Sequence, residues 1–270
     1  MRKVLLTGAS GGVGTWLRKL LPPIYPDLIL SDVHTPKDLA SNETFIQADL
    51  ADLAAVRKAI AGTDGIIHLG GYSVEGPWDA ILNANIIGTY NLFEAARIEG
   101  VKRVVFASSN HAVGFYPRTT QIDTQVLVRP DTRYGVSKAF GEALAAYYAF
   151  KHDVRTLCIR IGNVAEAPAD KRRLSIWLKP EDLVALIRIG LERPDLVYEV
   201  VYGASDNKRT FWDNERAETL GYQPAGRSEH FADAILANTP QSADPVGDFF
   251  QGGPFCSDEF TGDFGSISKL

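Results

Sequence analysis

A tyrosine and a lysine four residues apart carry the chemistry that this sequence suggests. Tyr134 and Lys138 lie in a stretch whose apolar residues recur at three- and four-residue steps, which predicts a helix with Asp131 as its N-cap. Residues four apart share one face of a helix, so the Lys138 ammonium is expected beneath the Tyr134 phenol. A phenol titrates near pH ~10, and a nearby cation favours its anion. The pair therefore predicts a tyrosine that acts as a base near neutral pH.

A hydroxyl group is expected beside this pair. The residues 101–107 predict a strand, and the chain runs from its end directly into Ser108, Ser109, Asn110 and His111. Ser109 is therefore the candidate for holding a substrate oxygen near Tyr134. For His111, one interpretation is a histidine that only bonds the backbone of its own loop. Because a Tyr-x-x-x-Lys pair occurs by chance on many helices, the assignment depends on the rest of the chain.

A glycine-rich loop near the start of the chain predicts a phosphate-binding turn. An apolar strand at 4–7 precedes it, and a helical pattern over 15–21 follows. Glycines permit a tight turn and close approach of the backbone to a pyrophosphate, and the helix N-terminus offers free N–H groups. The alternative is a glycine-rich turn without a ligand. The residues assigned to the loop are Gly8, Gly11, Gly12, Val13 and Gly14.

Further cofactor contacts are predicted where later strands end. Asp32 ends the strand predicted at 28–32, where a carboxylate bonds a ribose and repels a 2′-phosphate, so NAD is favoured over NADP. A plain surface aspartate is the alternative. Asp49 fits a contact with the adenine amino group, and equally a turn or a helix cap. The residues assigned to these strand ends are Asp32, Asp49, Leu50, Leu69, Gly70, Gly71 and Ile161.

Short apolar strands alternate with helical segments, which predicts an α/β fold with a Rossmann-like, doubly wound parallel sheet. Residues 1–162 are assigned to a dinucleotide-binding domain. Residues 163–270 are expected to form substrate-pocket segments packed on the same domain. Among them, helices are predicted at 180–191 and 212–220, and no regular structure is predicted from residue 239 onwards.

Two polar residues fall within otherwise apolar predicted elements. Asn85 lies in a long predicted helix, 77–98, and a specific hydrogen-bonding role is expected because asparagine lowers helix propensity. His68 lies in the strand predicted at 65–69, and a satisfied core histidine is favoured over a catalytic one.

Composition limits the class of protein. The chain has 270 residues, 45% of them hydrophobic, and its 28 basic and 33 acidic residues are mixed along it. Without a basic stripe, neither a nucleic-acid nor a membrane partner is expected. Cys158 and Cys256 stand far apart, which disfavours a disulfide framework, and no metal site is expected. No signal peptide and no apolar run of ~20 residues is recognised, so a cytoplasmic protein is predicted.

Taken in order, these features resemble those of the extended short-chain dehydrogenase/reductase family over most of the chain. The resemblance implies that Tyr134 is the acid/base, that Lys138 lowers its pKa and holds the nicotinamide ribose, and that Ser109 polarises the substrate oxygen. It also implies that Asn85 supports a water of the proton relay. A homo-oligomer, a dimer or higher, that pairs through the helices of Asn85 and Tyr134 is the family-based expectation.

Several segments are more closely similar to the uronate dehydrogenases, which oxidise C1 of cyclic galacturonate or glucuronate with NAD to an aldarolactone. The matching segments are 68–75, 85–88, 106–111, 116–117, 201–205 and 212–214. By position, the resemblance implies sugar contacts from Ser73, Ser109, Asn110, His111 and Tyr134.

The same resemblance implies that Arg172 clamps the substrate carboxylate, since a guanidinium binds a carboxylate through two parallel hydrogen bonds. The chain departs from the pattern at Asn163, where a serine sharing that carboxylate is expected. Arg173 is an alternative clamp, and an exposed basic run at 171–173 is the plainer interpretation of both arginines.

Three other functions stay open. A neutral-aldose dehydrogenase is compatible with the Asn163 departure. A nucleotide-sugar epimerase or dehydratase uses the same tyrosine and lysine, but normally has a larger C-terminal portion. A non-catalytic NAD-sensing protein tends to lack one of the two residues, and both are present here.

Overall fold

The computed structural model describes residues 1–238 and 243–269 of the chain. Its strands are β1 (Lys3–Thr7), β2 (Asp27–Asp32), β3 (Thr44–Gln47), β4 (Gly65–His68), β5 (Arg103–Ser109), β6 (Arg155–Ile161), β7 (Asn163–Val164), β8 (Trp177–Leu178) and β9 (Tyr198–Gly203). Its α-helices are α1 (Gly12–Leu20), α2 (Leu53–Ile60), α3 (Trp78–Ile81), α4 (Gly88–Glu99), α5 (Arg133–His152), α6 (Arg173–Ile176), α7 (Pro180–Glu192), α8 (Glu215–Thr219), α9 (Ala232–Asn238), α10 (Pro245–Phe249), α11 (Pro254–Ser257) and α12 (Phe264–Ile267). A π-helical segment (Leu82–Ile87) joins α3 to α4, and 3₁₀ turns cover Asn110–Val113 and Ser228–Phe231.

Seven of the described strands form one parallel sheet in the order β3-β2-β1-β4-β5-β6-β9. β2 and β3 lie on one side of β1, and β4, β5, β6 and β9 lie on the other. The strand order therefore reverses between β1 and β4. Open α/β sheets bind ligands outside the carboxyl ends of the strands at such a point. The sheet is doubly wound and Rossmann-like, and the predicted fold class is confirmed.

Helices cover both faces of the sheet because its strands are apolar on both sides. On one face α1 and α7 pack over β1 and β6, with Leu17 and Ile187 fully buried. On the other face α2, α4 and α5 pack together, with Phe93 and Tyr148 in the core. Among the helices of the described residues, none has the length and apolar character needed to cross a membrane.

The sheet continues beyond residue 162, where the dinucleotide-binding domain was predicted to end. β9 pairs with β6 along the whole of its length, and α7 packs on the same sheet. Two small apolar clusters, one around Trp212 and one around Phe250, join other segments after residue 162 to residues 113–122. The later part of the chain therefore supplies both a strand of the sheet and the segments beside the turn after β5.

Two predicted helices differ from the observed ones. The helix predicted over 77–98 is a continuous helical run, but residues 82–87 form a π-helical segment within it. The helix predicted over 212–220 is shorter, because only α8 is helical. Trp212 instead stacks on Tyr202 with ring centroids 4.7 Å apart, so its ring is held in the core outside the helix.

The tail contains short helices, so the prediction of no regular structure is wrong for residues 245–249, 254–257 and 264–267. Residues 239–242 and 270 lie outside the described part. Asp244 caps α10 by accepting a hydrogen bond from Gly247 N at 2.8 Å, and Pro245 occupies the first helical position. Asp263 caps α12 in the same way through Gly265 N at 3.0 Å. Caps of this kind start a helix even in a stretch rich in glycine and serine.

The helix that carries Tyr134 is capped by Thr132, one residue later than predicted. The Thr132 hydroxyl accepts a hydrogen bond from Gly135 N at 3.0 Å. Asp131, the predicted cap, directs its carboxylate to the His111 ring instead. Aspartate and threonine both cap helices well. Thr132 is the cap here because the Asp131 carboxylate is bonded to the buried His111 ring.

Candidate active site

A crevice opens at the carboxyl edge of the sheet, beyond the ends of β1, β4, β5 and β6. Its volume is about 700 Å³, which is within the range of small-molecule sites. Every residue assigned to cofactor binding from the sequence lines it. Of the residues assigned to the substrate, those that line it are Ser73, Ser109, His111, Tyr134 and Asn163.

The glycine-rich loop has a geometry that suits a phosphate. Gly8 has φ +72°, in the left-handed region, and a Cβ on it would lie 2.8 Å from Gly70 N. A Cβ on Gly14 would collide with the Gly8 carbonyl, so this glycine lets α1 pack against the end of β1. Gly12, the first residue of α1, has open space at the Cβ position. The free N–H groups of this helix end therefore border a cavity where a pyrophosphate fits.

Asp32 presents a carboxylate beside this loop. Its Oδ2 accepts a hydrogen bond from Ser10 N at 3.0 Å, and its Oδ1 accepts one from Val33 N at 2.7 Å. These bonds hold the charge at the crevice rim, where it suits ribose hydroxyls and repels a 2′-phosphate. Asp49 also lines the crevice, and its Oδ1 accepts from Ala51 N at 2.9 Å, so it stabilises the turn before α2 as well.

Ser109, Tyr134 and Lys138 come together at the base of the crevice. Ser109 ends β5, and the other two lie one turn apart on α5; all three are almost fully buried. Lys138 Nζ donates to Ala107 O at 2.8 Å and lies 5.4 Å from the centre of the Tyr134 ring. A Cβ on Gly135 would collide with the His111 carbonyl, so glycine there lets α5 pack directly on the turn after Ser109.

The ionisation of this pair differs from the prediction. Burial raises the pKa of Tyr134 to about 12, and the neighbouring Ser109 hydroxyl opposes the rise only in part. Burial also lowers the pKa of Lys138 to about 8, because the ammonium is surrounded by protein. The protein's own groups therefore do not lower the tyrosine pKa as expected, since desolvation raises it by more than the Ser109 hydroxyl lowers it.

Asn85 lies outside the crevice lining and holds the loop after β4. Its Oδ1 accepts from Tyr72 N at 2.7 Å, and its Nδ2 donates to Tyr72 O at 3.0 Å and to Ser137 Oγ at 2.9 Å. Asn85 therefore has the specific hydrogen-bonding role expected of it, because it bonds both this loop and α5. The side chain ties together two segments that border the crevice.

His68 is a buried residue of β4. Its Nδ1 is hydrogen-bonded to Thr7 Oγ1 at 2.8 Å, and Thr7 Oγ1 also accepts from Gly70 N at 3.1 Å. Burial and, secondarily, Lys138 lower the pKa of His68 to about 3, so the ring is neutral. Its Nε2 has no hydrogen-bond partner within the described residues, so the expectation of a satisfied core histidine holds for one nitrogen only.

Arg172 lies behind Asn110 and does not itself line the crevice. Its Nε donates to Gln251 O at 2.9 Å. With the Asn110 amide oriented to suit its neighbours, the amide oxygen lies 3.2 Å from Arg172 Nη2. Burial lowers the pKa of Arg172 to about 10, which still leaves a cation at neutral pH. In the part of the chain that the structure describes, this cation forms no salt bridge with a carboxylate.

Arg173 has a different environment. Its guanidinium is more exposed and pairs with Asp170. Neither arginine is therefore simply part of an exposed basic run, because Arg172 is partly buried and Arg173 pairs with Asp170. The plainer interpretation of His111 is also wrong, because its Nδ1 bonds the Asp131 carboxylate at 2.7 Å and not the backbone.

Two further groups that hold the site were not predicted. Glu75 accepts a hydrogen bond from Tyr134 N at 3.0 Å and pairs with Arg133, so it ties the loop after β4 to the start of α5. Gln251 is buried, accepts from Trp212 Nε1 at 3.0 Å and donates to two backbone carbonyls of residues 117–120. Glu75 lies within 68–75, one of the segments similar to uronate dehydrogenases, so its sequence context could have indicated it. No local sequence pattern indicated Gln251.

The described residues, 1–238 and 243–269, contain no cluster of three or more His, Cys, Asp or Glu side chains arranged to hold a metal ion.

Comparison with known proteins supports one family. The model of the NAD dependent epimerase/dehydratase family matches residues 4–180. The uronate dehydrogenase of Pseudomonas putida is 44% identical over 254 residues, which cover 94% of this chain and 95% of that protein. The NAD-dependent glucose-6-phosphate dehydrogenase of Haloferax volcanii is 40% identical and covers 84% of this chain and 95% of its own length.

A solved structure agrees with these matches. It is that of a tyrosine-to-alanine mutant of uronate dehydrogenase from Agrobacterium tumefaciens, complexed with NAD. It is 44% identical to this chain with a TM-score of 0.91, and the alignment covers 95% of this chain and 97% of that one. The resemblance to uronate dehydrogenases seen in the sequence is confirmed, and the chain belongs to the NAD dependent epimerase/dehydratase family.

Proposed function

We propose that this protein oxidises a cyclic hexuronate, galacturonate or glucuronate, at C1 with NAD to give the aldarolactone. The observation that carries the proposal is the convergence of Ser109, Tyr134 and Lys138 in a crevice that suits a dinucleotide. A partly buried arginine, Arg172, which forms no salt bridge with a carboxylate of the described residues, lies behind the same crevice. The similarity to uronate dehydrogenases over almost the full chain supports the same substrate class.

The residues of the crevice fit NAD. The loop from Gly8 to Gly14 would hold the pyrophosphate, Asp32 the adenosine ribose, and Lys138 the nicotinamide ribose. Bound NAD⁺ supplies the acceptor for the hydride that leaves C1. Leu69, Gly70, Gly71 and Ile161 border the space left for the cofactor, since each lies at the end of a strand.

Tyr134 Oη is the proposed acceptor of the proton from the anomeric hydroxyl, and Ser109 Oγ holds the same oxygen. In the protein alone, burial keeps the phenol protonated near neutral pH. Positive charge favours the phenolate, and both Lys138 and an oxidised nicotinamide would supply it. Positioned proton transfer of this kind is worth roughly 10²–10⁴-fold in rate.

The pH dependence of the reaction follows from these two groups. The active form of Tyr134 is deprotonated, and its pKa is raised, so kcat/KM is expected to increase as pH rises from about 6 to about 8. Above about 8 the Lys138 cation is lost, so the increase is expected to flatten or reverse. Initial rates of NADH formation at saturating NAD measure this profile. A kcat/KM that falls between pH 6 and 8 would contradict the assignment.

The substrate carboxylate is assigned to Arg172, with Asn110 beside it and Asn163 as a further contact. Asn163 lines the crevice at the start of β7, and its amide would donate a hydrogen bond to the carboxylate as a serine would, but over a longer reach. Ser73, at the opposite rim, is assigned to a sugar hydroxyl.

An assay of NADH formation tests the proposed function directly. Purified protein is incubated with NAD and, separately, galacturonate, glucuronate, galactose, glucose and glucose 6-phosphate. The expected result is turnover of the uronates with kcat/KM at least about tenfold above that of the neutral sugars, as loss of a charged hydrogen bond implies. Turnover of neutral sugars or of the phosphate alone would overturn the proposal. A thermal shift with UDP-sugars would favour an epimerase or dehydratase.

Cofactor preference gives a further prediction. Asp32→Ala is expected to shift the ratio of kcat/KM for NAD to that for NADP by about 100-fold towards NADP. The change removes hydrogen bonds of a charged group to the ribose and also the repulsion of a 2′-phosphate. Steady-state kinetics with both cofactors measures the ratio. Asp27→Ala, at the other end of β2, is the control and should leave it unchanged.

We also infer a homodimer that pairs through α4 and α5. Their outer surface, together with the π-helical segment before α4, carries apolar side chains that are 37–47% exposed, namely Ile87, Tyr90, Val136 and Tyr147. Exposed apolar side chains that form a contiguous patch are typical of interfaces.

Light scattering is expected to give about twice the chain mass of 29.5 kDa, and Tyr90→Glu is expected to reduce it to that of one chain. Leu127→Glu replaces an exposed apolar residue of a loop and should leave the mass unchanged. A wild-type mass of one chain would refute the dimer.

A further inference from the structure

A buried carboxylate lies directly behind the histidine of the crevice. Asp131 has a fully buried side chain, and its Oδ2 is 2.7 Å from His111 Nδ1. Its Oδ1 accepts a hydrogen bond from the Thr132 hydroxyl at 2.9 Å. A charged group is costly to bury unless it is paired and hydrogen-bonded, so the histidine is a principal partner of this carboxylate.

The surrounding backbone is shaped around this carboxylate. A Cβ on either Gly114 or Gly252 would collide with Asp131 Oδ2, so the two glycines enclose that oxygen. Cys256 Sγ lies 3.8 Å from the same oxygen. Segments far apart in the chain therefore meet at Asp131, which leaves its carboxylate little freedom to turn away from the histidine.

The histidine ring is held on its remaining sides as well. Phe255 stacks on His111 with ring centroids 4.0 Å apart, and the Tyr134 ring lies edge-on at 5.9 Å. His111 lines the crevice, and its Nε2 forms no hydrogen bond with any residue the structure describes. The nitrogen opposite Asp131 is therefore the one available to a ligand beside Tyr134.

The charge on Asp131 determines which nitrogen carries the proton. An ionised carboxylate only accepts hydrogen bonds, so Nδ1 must be the N–H of the ring. A neutral imidazole then keeps its lone pair on Nε2. That nitrogen attracts a hydroxyl and repels a carboxylate, because it offers no hydrogen.

We propose that Asp131 is a positioning residue that fixes His111 as a hydrogen-bond acceptor for a hydroxyl of the bound sugar. Asp131 thereby helps to orient the substrate, since a carboxylate is unfavourable at His111 and favourable at Arg172. The proposal rests on the proposed function for the identity of the sugar. The state of the histidine does not depend on it.

Nitrogen NMR of the protein labelled at histidine tests the state of the ring without any substrate. Spectra are recorded at about pH 8.5, above the ordinary histidine pKa of ~6.5, and His111→Gln identifies the signals of His111. The expected result is a protonated Nδ1 and a bare Nε2. A protonated Nε2, with or without a proton on Nδ1, overturns the proposal, whatever sugar the enzyme oxidises.

A double-mutant cycle tests whether Asp131 acts through the histidine. Asp131→Asn is expected to lower kcat/KM for the best sugar substrate about 10–100-fold, chiefly through KM, because the amide no longer enforces one ring tautomer. In the His111→Ala background the same change is expected to cost less than about twofold. Equal losses in both backgrounds overturn the proposal. Cys256→Ala, which alters a neighbour of the same carboxylate oxygen, is the control and should retain activity.

Discussion

Tyr134→Phe is expected to lower the rate of NADH formation from uronates about 10³-fold while NAD still binds. The change removes one oxygen atom, the proposed acceptor of the anomeric proton, and keeps the ring that packs against His111. Because the remaining crevice residues are unaltered, the dissociation constant of NAD should change less than about threefold. Single-turnover rates and calorimetric titration with NAD separate the two effects.

The matched control is Tyr147→Phe, which removes a phenolic oxygen from an exposed position on the same helix. This variant should turn over at the wild-type rate. Undiminished turnover of Tyr134→Phe would show that another group takes the proton, and loss of NAD binding would show that the tyrosine serves mainly to shape the crevice.

Local patterns allowed much of the fold to be predicted. The glycine-rich loop and the carboxylate of Asp32 each depend on a few neighbouring residues. Their geometry follows from backbone sterics and from hydrogen bonds within one turn, so the residue types indicate the structure. The same holds for Tyr134 and Lys138, since helical spacing alone places them one turn apart.

The ionisation of those two residues was not predictable in the same way. Spacing indicates that a cation is near a phenol, but it does not indicate how much water either group loses on folding. Burial raises the pKa of Tyr134 and lowers that of Lys138, and it is the largest cause for both residues. An estimate from the sequence therefore had the wrong direction for the phenol.

Contacts across long sequence separations were likewise unpredictable. Asp131 was expected to cap a helix, and its real partner, His111, is 20 residues away. Gln251 bonds carbonyls more than 130 residues earlier in the chain. The local periodicity of apolar residues does not indicate such pairings, because they depend on how the tail folds over the turn after β5.

The tail connects the two ends of the proposed substrate site. Gln251 accepts a hydrogen bond from Arg172 through its backbone carbonyl, and Phe255 stacks on His111. The segment from Gln251 to Phe255 thus contacts both Arg172, the proposed carboxylate clamp, and His111, the proposed hydroxyl acceptor. We therefore expect substrate choice in this protein to depend on residues that lie far from the glycine-rich loop and outside the sheet.

Arg172→Ala is expected to raise KM for galacturonate and glucuronate about 100-fold, with a much smaller effect on galactose and glucose. A charged hydrogen-bonded pair that is shielded from water contributes roughly 2–5 kcal/mol, and neutral sugars lack the carboxylate that forms it. The cation is suited to this role because it forms no salt bridge with a carboxylate of the described residues, and the charges of Asp131 and Asp170 offset its burial only in part, so a substrate anion would supply the missing charge. Steady-state kinetics with paired uronate and neutral sugars measures the difference.

Arg173→Ala is the matched control, since it removes the same side chain from the next position. Its guanidinium already pairs with Asp170, so KM for the uronates should change less than about threefold. The opposite order of effects would transfer the clamp to Arg173. Equal increases in KM for charged and neutral sugars would mean that Arg172 supports the turn around Asn110 and does not bind the carboxylate.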